Sequence, residues 1–529
     1  MRRDKQKFIH IITTLVAFIL LLSGCGTGKE TPAQNVSSTD KPDTKQTLTE
    51  EDMSSENGGT LKASAFPIKQ TDPAKISSDS EVLIANHVYD YLVDVNADNE
   101  IVPRLAQDWS RSEDGLQYTF QLVENATFHD GSEFTAESVV WTYKRLRDTE
   151  GLPTVDLYAN IESIEATSTY EVQFTLQETN PFFLYDLSDN HALIMKAGTE
   201  DPEDFNGTGP FIVEEYRPED RIIMKANPDY FIEGQPKLAG LTIIFFNEEA
   251  AAADAIQGGQ IDLTMDLTTP LYESLSGVDD LQAYDIATNQ FAAVRLRTDM
   301  EPGNDPKVVE AFKIATDRKA IFNVIQQGYG AVGRDSPIGP LFSEYYTEEP
   351  AMLEYNPQRA RDLLAEAGYE DGLDIKLNLL DTLNFPDLAV VLKEQWSEAG
   401  INAEIVTLPE SVYYGEGKWL DVPLGITGWG HRPYPQFYLD VMLKCGAKWN
   451  ETRFCDDEVD ELIETAGTTL NEQERIDAYH QIQRIMVERG PMIVPYFFAE
   501  YGVISDDYAG FELKAFSGRT DLRTVYLKE

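Results

Sequence analysis

The side chains that most often perform chemistry are badly spaced for catalysis in this chain. The histidines, His10, His87, His129, His191, His431 and His480, form no H-E-x-x-H or comparable metal-ligand spacing. The sequence also lacks a G-x-S-x-G nucleophile elbow and a G-x-x-x-x-G-K-[ST] phosphate loop. We therefore predict no catalytic residue, no metal site and no cofactor.

Two weaker signals for enzymatic chemistry remain. The stretch from Gly328 to Gly333 matches G-x-G-x-x-G, but it follows a helix predicted from Pro306, whereas dinucleotide binding needs the motif between a strand and a helix. We interpret it as a turn. The 91 acidic residues guarantee carboxylate pairs by chance, so a secreted, carboxylate-dependent glycoside hydrolase stays open as the alternative from a different class.

The charge balance limits the possible partners. The chain has 91 acidic against 43 basic residues and a formal net charge of -48. Such a chain would repel the phosphate backbone, so we predict no nucleic-acid partner. The acidic residues are spread too widely to mark a site, and we interpret them as a device for solubility, not for attracting cationic substrates.

The N-terminus predicts export and lipidation. A basic cap over residues 1–7 precedes an apolar run from Phe8 to Leu22, and small residues then lead to Cys25. Residues 1–24 are predicted to be a lipoprotein signal peptide, with Cys25 lipidated on the extracytoplasmic face of the cell membrane; an uncleaved anchor is the alternative. Residues 25–59 contain no aromatic side chain, and we predict a disordered tether there.

Two cysteines remain after Cys25, namely Cys445 and Cys455. An oxidising compartment would allow them to close a short loop with a disulfide. The alternative is a free, buried pair, and with no histidine close in sequence a zinc site is poorly supported.

The periodicity of the chain indicates a mixed α/β fold. Helices are predicted from Pro306 to about Gln327, from Pro357 to Gly368, and from Asn471 to Gly490. Strand-like runs at 373–380 and 401–408 enclose a helix at about 387–399. A crossover of that length favours parallel strands with the helix packed on the sheet.

Several ordered motifs resemble one protein family along nearly the whole mature chain. They are Glu113-Asp114-Gly115-Leu116, Phe128-His129-Asp130-Gly131, Gly207-Thr208-Gly209-Pro210-Phe211, Asn227-Pro228-Asp229-Tyr230-Phe231 and Ala315-Thr316-Asp317-Arg318. The chain is similar in these stretches to the family 5 solute-binding proteins of ABC transporters, which bind dipeptides, oligopeptides, nickel chelates and related solutes. The resemblance implies a receptor that captures a peptide-like solute for a membrane permease, with a metal chelate, an opine or an oligosaccharide as alternatives.

The resemblance also implies an architecture. We expect an α/β periplasmic-binding-protein-like fold with mixed sheets, two lobes, a hinge of two crossing segments and an extra subdomain in the first lobe. Lobe I would comprise residues 60–80, 206–287 and 506–529, the subdomain residues 81–205, and lobe II residues 288–505. The expected hinge segments lie near 285–292 and 500–508. The partners would be a small solute, the ABC permease subunits and the membrane lipid, and the protein would be a monomer.

The resemblance places the solute near residues 428–435. Trp429 would offer a flat apolar wall, and Tyr434 a ring edge and a hydroxyl, with ordinary core packing as the alternative for each. Peptide-binding relatives carry an aspartate a few residues after this tryptophan for the substrate ammonium group, whereas this chain has Arg432 there. A guanidinium enclosed without a partner would cost about 3–5 kcal/mol, so we expect Arg432 to meet either a solute carboxylate or an internal acid.

Further ligand-binding candidates rest on less. His431 could touch a chelated metal, although a lone loop histidine is more often hydrogen-bonded or solvent-facing. Phe66, Ile68 and Asn289 are candidates only by their position in the family pattern, and each is equally compatible with packing.

Overall fold

The protein is described by a computed structural model that covers residues 58–415 and 418–529, apart from the side chains of Lys418 and Ser517. Cys25, the predicted signal peptide and most of the predicted tether lie outside the described residues. Among the helices of the covered part, none combines the length and apolar character needed to cross a membrane.

The strands fall into one large sheet and three small ones. In chain order they are β1 Thr60–Ala65, β2 Val93–Val95, β3 Ile101–Pro103, β4 Ala106–Arg111, β5 Gln117–Leu122, β6 Ile161–Ser168, β7 Glu171–Leu176, β8 Phe211–Arg217, β9 Arg221–Ala226, β10 Gly240–Phe245, β11 Leu263–Met265, β12 Leu281–Leu296, β13 Ala331–Val332, β14 Leu373–Leu380, β15 Ile401–Leu408, β16 Leu424–Trp429, β17 Met492–Ile493, β18 Tyr496–Ser505, β19 Tyr508–Ala509 and β20 Tyr526–Leu527.

The helices pack on these sheets. They are α1 Asp79–Val88, α2 Ala136–Asp148, α3 Phe183–Asp186, α4 Glu249–Gln257, α5 Thr269–Leu275, α6 Pro306–Ile314, α7 Arg318–Ile325, α8 Pro357–Glu366, α9 Phe385–Glu398, α10 Glu410–Tyr413, α11 Lys418–Asp421, α12 Gln436–Tyr438, α13 Asp457–Thr468 and α14 Glu472–Arg489. The predicted mixed α/β class is confirmed.

Two long strands join the halves of the large sheet, whose order is β15-β14-β16-β12-β18-β11-β1-β10-β9-β8. β12 and β18 are antiparallel, and their register shifts between Ala287 and Phe291. Beyond that irregularity β12 continues against β16, where Phe291 pairs with Trp429. β12 and β18 thus join the strands on either side of them into one continuous sheet. The predicted lobe boundaries remain a prediction.

The strand-helix-strand prediction is confirmed. β14 and β15 are parallel in continuous register from Leu373 opposite Ile401 to Leu380 opposite Leu408, and α9 lies between them in sequence. Trp396 of α9 is fully buried in the core beneath these strands. The local period and the length of the crossover were therefore sufficient to define this unit.

The prediction of one helix from Pro306 to about Gln327 is wrong, because the segment forms α6 and α7 with a break at 315–317. Asp317 starts the second helix, and its side chain accepts a hydrogen bond from the amide of Ala320. An aspartate in an N-cap position competes with helix continuation. At the predicted turn Gly328 has a positive φ of 96°, but the G-x-G-x-x-G stretch then continues into the short strand β13.

Hydrophobic packing forms several separate cores. The first contains residues between 61 and 265 together with residues between 504 and 525. A second lies under β14, β15 and β16. A third gathers residues between 291 and 497 but also includes Phe182, which comes from the segment predicted to be the subdomain. Phe182 thus connects two parts of the chain that are far apart in sequence.

Candidate functional site

Trp429 is the last residue of β16 and is held by its indole nitrogen. Its Nε1 donates to Glu451 Oε1 over 3.2 Å, and only 8% of the residue is exposed. Its ring centroid lies 6.1 Å from that of Trp449 and 6.3 Å from that of Tyr438, both edge-on. The polar end of the indole is therefore satisfied by protein, and what remains available is ring surface.

A cavity of about 390 Å³ opens beside this ring. Its walls are formed by Tyr414, Trp419, Thr427, Gly428, Trp429 and Trp449. It lies beyond the carboxyl end of β16, a strand parallel to β14, and in α/β sheets this edge is the usual place for a ligand. Its volume is within the range of small-molecule sites.

A buried ion pair supports the walls of the cavity. Glu451 Oε2 accepts a hydrogen bond of 2.7 Å from Thr427 Oγ1 and a shorter one from Arg295 Nε. Arg295 in turn donates to the backbone oxygen of Trp419. Because Arg295 is only 1% exposed, the pair is shielded from water, and it connects Trp419, Thr427 and Trp429 through fixed hydrogen bonds.

Cys445 and Cys455 are joined by a disulfide. The loop that it closes contains Trp449 and Glu451. The disulfide therefore constrains Trp449, which forms one wall of the cavity, and Glu451, whose carboxylate orients Trp429 in another wall.

His431 and Asn289 contact each other at the central strands. The amide of Asn289 donates to His431 Nδ1 over 3.3 Å, and the His431 ring stacks on Phe516 with an interplanar angle of 4°. Burial, with the nearby charges of Arg432 and Arg519, lowers the pKa of His431 to about 3, so the ring is neutral at physiological pH. No group of three or more potential metal-ligand side chains occurs among the described residues.

Arg432 is exposed in this structure, and its predicted meeting with a solute carboxylate or an internal acid stays a prediction. One guanidinium nitrogen donates to the backbone oxygen of His431 over 2.8 Å, and the guanidinium carbon lies 4.5 Å from the Phe437 ring centroid. The carboxylate of Asp189 interacts electrostatically with this guanidinium, and the role of Arg432 towards a solute stays a prediction.

Tyr434 is engaged by side chains from the predicted subdomain. Its ring stacks on Phe182 at a centroid distance of 4.8 Å and an angle of 9°, and its hydroxyl donates to Asp186. Asn180 also donates to Asp186, over 2.7 Å. Burial outweighs these hydrogen bonds and raises the pKa of Asp186 to about 7. Tyr434 thus contacts another part of the same chain, the predicted subdomain, in this structure.

Phe66 and Ile68 follow the carboxyl end of β1. The amide of Phe66 donates to Ser80 Oγ over 2.9 Å, and Ile68 is part of the first hydrophobic core. The structure therefore brings Trp429, His431, Arg432, Tyr434 and Asn289 together around one loop, and Ile68 packs in the core. It adds Glu451, Arg295, Trp419 and Trp449, which sequence reasoning missed because no local motif connects them.

The comparisons with known proteins agree on the family. The family model described as "Bacterial extracellular solute-binding proteins, family 5 Middle" matches residues 100–450. Di/tripeptide-binding protein 1 of Pseudomonas aeruginosa is 26% identical over 462 residues, which is 80% of this chain and 85% of that protein. Heme-binding protein A of Haemophilus influenzae is 27% identical over 518 residues, 91% of this chain and 92% of that protein.

A solved structure, HbpA2 from Haemophilus parasuis, superposes with a TM-score of 0.79 at 24% identity and covers 89% of this chain and 100% of its own. The fold is therefore the two-lobed, mixed α/β fold of periplasmic binding proteins. The chain belongs to the family 5 solute-binding proteins of ABC transporters. It is a solute-binding protein of a transport system and not an enzyme.

Proposed function

We propose that the protein captures a peptide-like solute beside the loop at residues 429–434 and delivers it to an ABC permease. In this proposal lipid on Cys25 holds the protein on the outer face of the membrane. The solute-binding part of the proposal is supported by the family, by a di/tripeptide-binding relative and by the geometry of the loop. The heme-binding relative means that the family alone does not define the solute.

One observation carries the proposal: the loop at 429–434, in the predicted lobe II, contacts residues of the predicted lobe I and of its subdomain. His431 stacks on Phe516, which packs against the first core, while Tyr434 stacks on Phe182. A solute next to the loop would thus be contacted from two sides. When a binding protein completes its contacts to the solute only in the closed form, the closed form is the state that its partner recognises as loaded.

Arg432 would read a carboxylate of the solute. Its guanidinium is exposed next to the loop, has one backbone hydrogen bond and keeps donors free for a bidentate, charge-assisted pair. Titration calorimetry with the best-binding peptide tests this role in Arg432→Ala. We expect about tenfold weaker binding, whereas Arg359→Ala, an exposed arginine on α8, should bind as the parent does. Unchanged affinity in Arg432→Ala would reject the role.

A ligand screen tests the proposed function itself. The melting temperature is measured with dipeptides and tripeptides, metal chelates, opines and oligosaccharides, and the products are analysed by mass spectrometry. We expect stabilisation by peptides, with one-to-one binding and no turnover. If only a chelate, an opine or a sugar stabilises the protein, that class of solute replaces the peptide in the proposal. If a cleaved product is released, the proposal that the protein is a receptor is rejected.

Membrane attachment is tested separately by fractionation of cells that express the chain. We expect the parent protein in the membrane fraction and Cys25→Ser in the soluble extracytoplasmic fraction, because the thioether anchor cannot form on serine. Equal membrane retention of both proteins would support an uncleaved anchor.

A further inference from the structure

The cavity beside Trp429 has an unusual lining for a site in so acidic a protein. Tryptophan or tyrosine rings supply four of its six lining residues, and none of the six carries a charge at neutral pH. The pKa of Tyr414, the one titratable side chain, is raised to about 12 by burial and by the nearby Glu451. Among the six described lining residues, no charged side chain compensates a charged group for the water that it would lose on entering.

The ring geometry suits a flat apolar group. Trp429 and Trp449 meet at 64°, and Tyr414 and Trp419 meet at 79° with centroids 5.4 Å apart. These two pairs present both faces and edges, the surfaces that aromatic rings prefer as neighbours. The cavity of about 390 Å³ exceeds the roughly 150 Å³ that accommodates benzene in an engineered apolar cavity.

The charges around the cavity argue against a cationic occupant. An aromatic cage can also bind ammonium groups, but here Lys448 Nζ lies 5.2 Å from the Trp449 ring centroid. Behind the wall, the carboxylate of Glu451 is paired with Arg295. Lys448 would repel an incoming cation, and the Arg295–Glu451 pair adds no net charge behind the wall, so a neutral ring is favoured.

Two polar groups of the lining are engaged by the protein itself. Thr427 Oγ1 and Trp429 Nε1 both donate to Glu451. Glu451 and Trp449 lie within the loop closed by Cys445 and Cys455. The cavity is therefore shaped before a ligand arrives, which reduces the entropy lost on binding.

We propose that this cavity is a specificity pocket that takes a neutral aromatic side chain of the solute, with Glu451 as the residue that positions Trp429. This inference rests on the proposed function, since it assigns the side-chain preference of the same binding site.

The test uses calorimetry with the full-length protein and a small peptide set. The probes are Ala-Ala-Ala and the tripeptides with a single Phe, Leu or Lys at each position. We expect one position at which Phe binds about tenfold or more tightly than Ala, with Leu between them and Lys no better than Ala. In Trp449→Ala that ratio should fall to about two or less. Trp141→Ala, on α2 outside the cavity, should keep the ratio.

The outcomes separate this inference from the proposed function. If tripeptides bind but show no Phe preference, or keep it in Trp449→Ala, the pocket assignment is overturned and the peptide receptor stands. If Lys binds more tightly than Phe, the neutral-ring assignment is overturned. If no tripeptide binds, the proposed function fails, and the pocket assignment falls with it.

Discussion

The two ends of the 429–434 loop use aromatic side chains in opposite ways. At the first end, the rings of Trp429, Trp449 and Trp419 line a cavity. At the other end, Tyr434 is stacked on Phe182, and its hydroxyl is bonded to Asp186. The same class of residue thus provides a binding surface in one place and a contact between distant parts of the chain in the other.

The difference lies in where the polar atoms find partners. Trp429 is bonded to Glu451, a residue 22 positions away in sequence. Tyr434 is bonded to Asp186, a residue 248 positions away in sequence. We infer that the Trp429 end determines which solute is preferred, while the Tyr434 end determines how readily the protein closes on any solute.

The largest effect is expected from Glu451→Ala at the Trp429 end. The variant leaves Arg295 buried without its carboxylate partner. Removing one member of a buried ion pair reduces the free energy of unfolding by about 3–5 kcal/mol. Urea unfolding measures the loss, and Glu458→Ala, an exposed carboxylate on α13, should change stability by less than about 1 kcal/mol. A loss for Glu451→Ala that matches this control would show that the ion pair does not support the pocket.

The next effect concerns the Tyr434 end. Phe182→Ala removes a buried ring that contacts Tyr434 and lies under the guanidinium of Arg475. We expect a loss of about 3 kcal/mol from the closed form, seen as weaker binding of every peptide with the Phe-to-Ala ratio preserved. Phe231→Ala, whose ring packs against the first core, is the control. A selective loss of aromatic peptides in Phe182→Ala would contradict the division of roles.

The disulfide is expected to matter for the Trp429 end alone. Replacing both Cys445 and Cys455 with serine releases the loop that contains Trp449. We expect the free energy of unfolding to decrease by about 2–3 kcal/mol and the preference for aromatic peptides to weaken. Calorimetry and urea unfolding of the double variant test this, and an unaltered preference would show that the crosslink does not shape the pocket.

A dependence on pH is expected at the Tyr434 end. Burial raises the pKa of Asp186 to about 7, above the value of about 4 expected in the unfolded chain. The folded state therefore retains a proton there that the unfolded state has lost, and stability must decrease as pH rises between these values. The slope from this group is at most about 1.4 kcal/mol per pH unit.

Asp186→Asn provides the measurement for that slope. Unfolding is followed between pH 4 and 8 in both proteins, and the difference between the two curves isolates the contribution of Asp186. We expect this difference to change across the stated window and to be flat above about pH 8. A difference that is constant throughout would mean that Asp186 titrates normally.

Local sequence signals predicted the elements better than the site. The period and length of residues 373–408 were sufficient for the parallel pair β14 and β15, because those interactions are close in sequence. The same reasoning missed the break before Asp317, where one capping side chain outweighed a continuous apolar pattern. It singled out Trp429 and Arg432, but nothing local to Arg432 indicates that its side chain is exposed.

The sequence by itself determined the family, the mixed α/β class and the segment around Trp429, since ordered motifs and periodicity are properties of the linear chain. Only the tertiary structure decided that Trp419 and Trp449 share a cavity with Trp429, and that Glu451 and Arg295 fix its walls. Arg295 and Glu451 are 156 residues apart, so their pairing leaves no local pattern. Contacts of this kind arise when the strands and loops pack together, and they determine which rings remain accessible to a solute.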